Sequence, residues 1–228
     1  AMLAISVNFQ QFGISAYPAG TAAEARSGFI TALYVVFVPL LSFFFGKKVS
    51  PVIWASVAVA VVGFYMLCLS GGISGIYTAD ILVFICAFCF AGQIISVDKF
   101  VGLTGGVKLS VMQFTVAGAL SAVFAVIFER PTMENIIAAA PQILYLGIVS
   151  SGVGYTLQIV GQKYAEPSVA SLSMSLESVF AALGGWLISG NTLSVREFIG
   201  CALVFAAIVV AQIPEMTGKT RKQSASQQ

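Results

Sequence analysis

Apolar residues run along the chain in eight blocks, at about 3–16, 27–45, 51–69, 81–97, 111–128, 143–162, 169–189 and 198–213. Most of these approach the roughly 20 residues that carry a helix across a bilayer. The intervals hold turn-forming residues: Gly46-Lys47-Lys48 with Ser50-Pro51, Gly71-Gly72, Gly102 to Gly106, Arg130-Pro131, Glu166-Pro167 and Gly190-Asn191. The pattern predicts an all-α polytopic membrane protein of about eight helices, the first of them short. Beyond Pro214 the apolar pattern stops, and the polar stretch from Gly218 to Gln228 is expected to be disordered.

One residue breaks the apolar pattern most sharply. Glu177 sits near the middle of the run 169–189, where a carboxylate costs roughly 3 kcal/mol on insertion scales and normally faces protein or a wet cavity. At helical spacing Ala170, Ser173, Glu177, Ala181 and Gly184 form a small or polar stripe, and Leu172, Leu176, Val179, Leu183 and Leu187 form the opposite, greasy one. Glu177 is therefore expected to point at other helices rather than at lipid. A structural role as a cap or polar partner and a proton-coupling role both remain open for it.

Composition supports the membrane reading: 58% of residues are hydrophobic, 9% are charged, and the mean hydropathy is +0.97. Soluble domains carry about 25% charged residues. The net charge of +2 says little about partners, but its distribution does. Taking alternate loops, one side holds Lys47, Lys48, Lys99, Lys108, Lys163, Lys219, Arg221 and Lys222, and the other holds Arg26, Arg130 and Arg196. This bias predicts a cytoplasmic C-terminus and, with eight crossings, a cytoplasmic start. Glu24 and Arg26 are expected to be interfacial and solvated. The chain opens as Ala1-Met2-Leu3 in apolar sequence without a basic leader, so further sequence is expected upstream.

The chain also echoes itself. Gln11 and Tyr17 recur as Gln158 and Tyr164; the next helix repeats Leu33, Val36, Phe37 and Leu40 as Leu176, Val179, Phe180 and Leu183. The helix after that repeats Gly46, Ser50 and Ala58 as Gly190, Ser194 and Ala202. The order of features carries the echo more than the identities do. Copies separated by an odd number of helices enter the membrane from opposite sides, and inverted repeats are a mark of secondary transporters with a midplane site. The polar positions fit such a site: Asn8, Gln11 and Ser15 on one helix, Tyr155, Gln158 and Gln162 on its echo, and Ser27, Thr31, Tyr34 and Ser42 on the next. Cys86, Cys89 and Gln93 share a face of another helix. Tyr34 corresponds to Glu177.

The segments Gly28-Phe-Ile-Thr-Ala-Leu-Tyr-Val-Val-Phe-Val-Pro39 and Leu176-Glu-Ser-Val-Phe-Ala-Ala-Leu-Gly-Gly-Trp186, each followed by a Gly and then a Ser, carry a family resemblance. They resemble the EamA-type branch of the drug/metabolite transporter superfamily. The resemblance covers essentially 3–213 and implies a ten-helix fold of two inverted five-helix repeats with cytoplasmic termini. It implies that 1–73 hold the last three helices of the first repeat, 74–214 the complete second repeat, and 215–228 a cytoplasmic tail, with the family's first two helices absent. The family's proline after the glutamate of its ninth helix is replaced here by Ser178, which predicts a straighter helix.

Together these readings predict a secondary transporter of small metabolites or amino acids in the cell (inner) membrane. It would work by alternating access, with the substrate between the repeats among Tyr34, Gln93, Tyr155, Gln158 and Glu177. Export is what the resemblance implies. The small residues Gly152, Gly154, Gly184 and Gly185 would permit close helix crossings. Gln93 and Gln158 also fit interhelical hydrogen-bond glue, and both tyrosines fit packing. The expected partners are a small-molecule substrate and the lipid bilayer, with no nucleic acid; a homodimer is left open. The alternative is a non-transporting membrane scaffold or partner subunit. A channel ranks third, because no charged ring or carbonyl filter motif is visible.

No enzyme and no cofactor is implied. Gly72-Ile-Ser-Gly75 has a protease-like spacing, but the chain has no histidine to serve as base. Cys86-x-x-Cys89 lacks a second ligand pair for zinc, and Cys68 and Cys201 likewise lie in apolar runs as small core residues. No phosphate-binding loop is present.

Overall fold

The computed structural model describes residues 2–18, 23–69, 76–129, 131–189 and 194–225. Twelve α-helices are present among them: α1 (Met2–Ser15), α2 (Ala23–Ala32), α3 (Tyr34–Phe44), α4 (Pro51–Cys68), α5 (Thr78–Thr104), α6 (Gly106–Phe124), α7 (Met133–Ala138), α8 (Ala140–Leu144), α9 (Thr156–Gln162), α10 (Pro167–Met174), α11 (Leu176–Ser189) and α12 (Val195–Ala225). Two wider, π-helical stretches, Ala125–Glu129 and Tyr145–Tyr155, extend α6 and join α8 to α9. Set end to end, these pieces make eight rods at the eight apolar runs, plus the short α7, which the sequence pattern does not signal. No strand occurs among the described residues. The turns at Gly71-Gly72 and Gly190-Asn191, the 72–75 tetrapeptide, Arg130 and the side chains of Glu24, Ala181 and Gly185 lie outside the described set.

Among the described residues, six helices are long and apolar enough to cross a membrane: Ala25–Phe44, Pro51–Cys68, Thr78–Thr104, Gly106–Phe128, Ala140–Gln162 and Val195–Ile213. The chain is an all-α polytopic membrane protein. α1, with 14 residues, spans about 21 Å and falls short of the ~30 Å hydrocarbon core, as its short run suggested.

Local chemistry sets the boundaries. Ser50 accepts the Val52 N–H at 3.3 Å and Pro51 opens α4. Ser194 and Glu197 form a reciprocal capping box at the start of α12, at 2.8 and 3.2 Å. Gly105, at φ +81°, turns α5 into α6 through a backbone conformation that side chains disfavour. Contrary to the expectation of a disordered tail, α12 continues through Pro214 to Ala225.

The rod expected to be straight carries a one-residue turn at Ser175. α10 ends at Ser175, whose hydroxyl donates to the Leu172 carbonyl at 2.5 Å. A serine bonding to the preceding turn in this way competes with the helical ladder and bends it. The break thus comes two residues before Glu177 without a proline at 178. The rod 23–44 is also interrupted, by a backbone turn at Leu33, one residue before Tyr34.

The main core lies among α3, α4, α10 and α12, where Val35, Ile53, Ala60, Phe64, Leu172 and Val204 are fully or nearly fully buried. α4 and α12 cross at bare backbone. A Cβ on Gly200 would lie 2.7 Å from the Gly63 carbonyl oxygen and 2.8 Å from the Leu67 nitrogen. Smaller apolar clusters seat α5 against α3 (Val38, Ala91, Ile94) and against α9 (Val97, Val101, Ile159). α6 buries only Ser110, and Tyr145–Tyr155 buries nothing, so their apolar sides face outward.

Candidate functional site

α1 is rotated by what its small residues allow. Leu3, Ser6, Gly13 and Tyr17 are buried at helical spacing, and Gly13 rides so close to α5 that an added Cβ would sit 2.5 Å from a Val83 methyl. The same face carries Gln10 inward and leaves Gln11 and Ser15 exposed. The expected stripe of Asn8, Gln11 and Ser15 is therefore corrected by one residue. Asn8 instead donates to Ser121 on α6 at 2.9 Å. The two tyrosines of the echo differ in burial: Tyr17 is buried and Tyr164 is exposed.

Gln10 meets Thr31 of α2 at 3.4 Å, and both border a central cavity of about 100 Å³. All five residues singled out from the sequence, Tyr34, Gln93, Tyr155, Gln158 and Glu177, line the same cavity, together with Phe90, Ile94 and Met174. They arrive from α3, α5, the Tyr145–Tyr155 stretch, α9 and α11. Gln93 is buried and donates to Gln113 of α6 at 3.1 Å, so it also works as the interhelical tie considered for it. The Tyr155 ring packs edge-on to Phe114, with centroids 6.4 Å apart.

Glu177 faces cavities rather than packed protein. It is exposed, because it borders the central cavity on one side and a second cavity of about 490 Å³ on the other. That second space is lined by small and polar residues of α9, α10 and the turn between them, including Gly161, Gln162, Ala165 and Ser173, and shares Gln158, Met174 and Glu177 with the first. Gln162 is buried there; its side-chain nitrogen lies 3.7 Å from the Met174 sulfur, and its Oε1 has no hydrogen-bond partner. Among the described residues neither cavity is lined by a lysine or arginine. Among the described residues Glu177 has no hydrogen-bond or ion-pair partner.

A polar knot that the sequence did not signal closes one end of the bundle. Arg26 donates to both oxygens of Asp80, through Nε to Oδ1 at 2.8 Å and through a terminal nitrogen to Oδ2 at 2.6 Å. Tyr17 donates to Oδ1 at 2.7 Å, the Tyr77 N–H to Oδ2 at 2.8 Å, and the guanidinium lies 4.8 Å from the Tyr77 ring centre. Arg26 is thus a buried, paired residue, not the solvated one expected. Burial first, and then the bond to Asp80, pushes the Tyr17 hydroxyl above its ordinary range, which keeps it a donor. Arg196 lies 5.1 Å from the Tyr65 ring, near the same end of α4. Lys47 pairs with Asp98 at 2.5 Å at the opposite end.

Comparison with known proteins places this geometry. The model of a family described as the EamA-like transporter family matches residues 77–212. A protein of Archaeoglobus fulgidus described as an uncharacterized transporter is 31% identical over 210 residues, covering 92% of this chain and 65% of that one. The chain therefore spans about two thirds of the length of this curated relative. A crystal structure whose description names no function shares the fold, with a TM-score of 0.72 at 20% identity over 92% of this chain and 74% of that one.

Proposed function

The chain belongs to the EamA-like transporter family, and from that premise we propose that it moves a small metabolite across the cell membrane by alternating access. The observation that supports this most is the meeting of Tyr34, Gln93, Tyr155, Gln158 and Glu177 at one inner cavity, drawn from residues far apart in sequence. Three further features fit. A one-residue turn interrupts the regular helix beside each echoed site residue, at Leu33 and Ser175, a smaller departure of the kind seen in the discontinuous helices of transporter sites. The Arg26–Asp80–Tyr17 knot supplies a closed end. The glycine crossing of α4 and α12 supplies a smooth contact about which two halves can slide.

In this reading the lysine-rich end, with Lys47 and Lys163, faces the cytoplasm together with the C-terminus. The 490 Å³ cavity, which reaches Ala165 beside Lys163, is then the cytoplasmic vestibule, and transport runs outward from it. A partner-subunit or scaffold role is the second reading, and the outward apolar faces of α6 and Tyr145–Tyr155 favour it, since another copy could cover them. The test is counterflow of radiolabelled amino acids and amines into liposomes carrying the full chain. Exchange by the native chain and its loss in Glu177→Ala, with the helical circular-dichroism signal unchanged, supports transport at this cavity. Exchange that survives Glu177→Ala refutes the site, and a native chain that exchanges nothing favours the scaffold.

A further inference from the structure

The two inner cavities share a wall of Gln158, Met174 and Glu177, and their chemistry is one-sided. Among the described lining residues Glu177 is the one carboxylate, and no lysine or arginine stands with it. Tyr34 and Tyr155 line the first cavity together with Glu177, so both aromatic side chains border the space the carboxylate faces. Beside the second cavity Gln162 is 4% exposed, and its carbonyl oxygen has no hydrogen-bond partner among the described residues. A buried acceptor left open is costly, and so is a mid-membrane carboxylate without a counter-charge. Both deficits call for the same remedy, a donor group carrying positive charge. Aromatic faces reinforce that preference, because their π-electrons attract cations. A ligand carboxylate would meet the reverse situation: Glu177 repels it, and no lining cation receives it.

We propose that the ligand is an ammonium-bearing molecule without a carboxylate, its cationic head beside Glu177 between Tyr34 and Tyr155 and its body extending past Gln158 toward Gln162. This inference rests on the transport reading for its biological meaning, but it is a statement about charge class and can fail separately. It narrows the expectation of metabolites or amino acids to amines, and it disfavours zwitterions.

Three probes of nearly equal shape test it on the purified full chain: phenethylammonium, phenylalanine and 3-phenylpropionate. The measured quantity is the dissociation constant from ligand-dependent thermal stabilisation in detergent. Phenethylammonium is expected to bind at least ten-fold more tightly than either carboxylate-bearing probe. Glu177→Gln is expected to remove that preference, and Gln162→Leu to weaken phenethylammonium binding several-fold with the preference kept. Equal or tighter binding of phenylalanine or 3-phenylpropionate to the native chain overturns the proposal, as does binding of none of the three. The native-chain comparison decides even if a variant does not fold. If phenethylammonium binds selectively but liposomes show no exchange, the charge class stands and the transport reading falls.

Discussion

Glu177 borders two cavities at once and has no cation beside it among the described residues, whereas Arg26 and Asp80 are paired, buried and tied to Tyr17. The two carboxylates therefore call for different experiments. Asp80→Asn leaves the Arg26 guanidinium without its counter-charge, and loss of one partner of a buried pair costs about 3–5 kcal/mol. Tyr17→Phe removes one hydrogen bond to the same carboxylate and costs about 1 kcal/mol. Thermal unfolding in detergent is expected to rank them in that order, with Glu177→Gln close to the native chain. A Glu177→Gln midpoint as low as that of Asp80→Asn would mean that Glu177 is a structural residue. At this scale the sequence revealed what was locally unusual, such as a carboxylate in an apolar run. It could not reveal what depends on a partner far along the chain: Arg26 and Asp80 meet across 54 positions. Gln10 was missed in favour of Gln11 because the close approach at Gly13 sets the rotation of α1.

The breaks and crossings of helices belong to the next scale. The Ser175 hydroxyl holds the Leu172 carbonyl, so Ser175→Ala is expected to restore helical continuity, change stability by less than about 1 kcal/mol, and slow exchange in liposomes. An unchanged rate would show that the break plays no part in transport. At the α4–α12 crossing, Gly200→Ala must push backbone from backbone, at about 1–3 kcal/mol. Gly118→Ala on α6 meets nothing within 4 Å and serves as the neutral control. Equal unfolding midpoints for the two would contradict the packing described for that crossing. Eight rods were legible because bilayer-length apolar runs and Gly/Pro intervals signal them directly. The break at Ser175 was not legible, since serine in a helix bends it only when its hydroxyl turns back to the preceding turn. The length of α12 was obscured by the polar composition after Pro214.

For the whole molecule, the charged ends give a testable orientation. In a background with Cys68, Cys86, Cys89 and Cys201 replaced by serine, Lys48→Cys is expected to react with a membrane-impermeant maleimide only after inverted vesicles expose the cytoplasmic face. Arg196→Cys is expected to react in intact cells. The opposite pattern would invert the proposed topology and, with it, the direction of export. The gathering of five sequence-selected residues at one cavity followed from polar stripes on separate apolar helices. What the stripes could not convey was the division of that space into two cavities and the polar knot at one end.

The central claim, that the inner cavity opens alternately to the two sides of the membrane, is tested most directly by Gln158→Cys in the same cysteine-free background. Gln158 lines both cavities, so its labelling reports access to the site itself. Alternating access predicts modification by the impermeant maleimide from either face, with an amine ligand changing the two rates in opposite directions. Labelling confined to one face, with and without ligand, would contradict it.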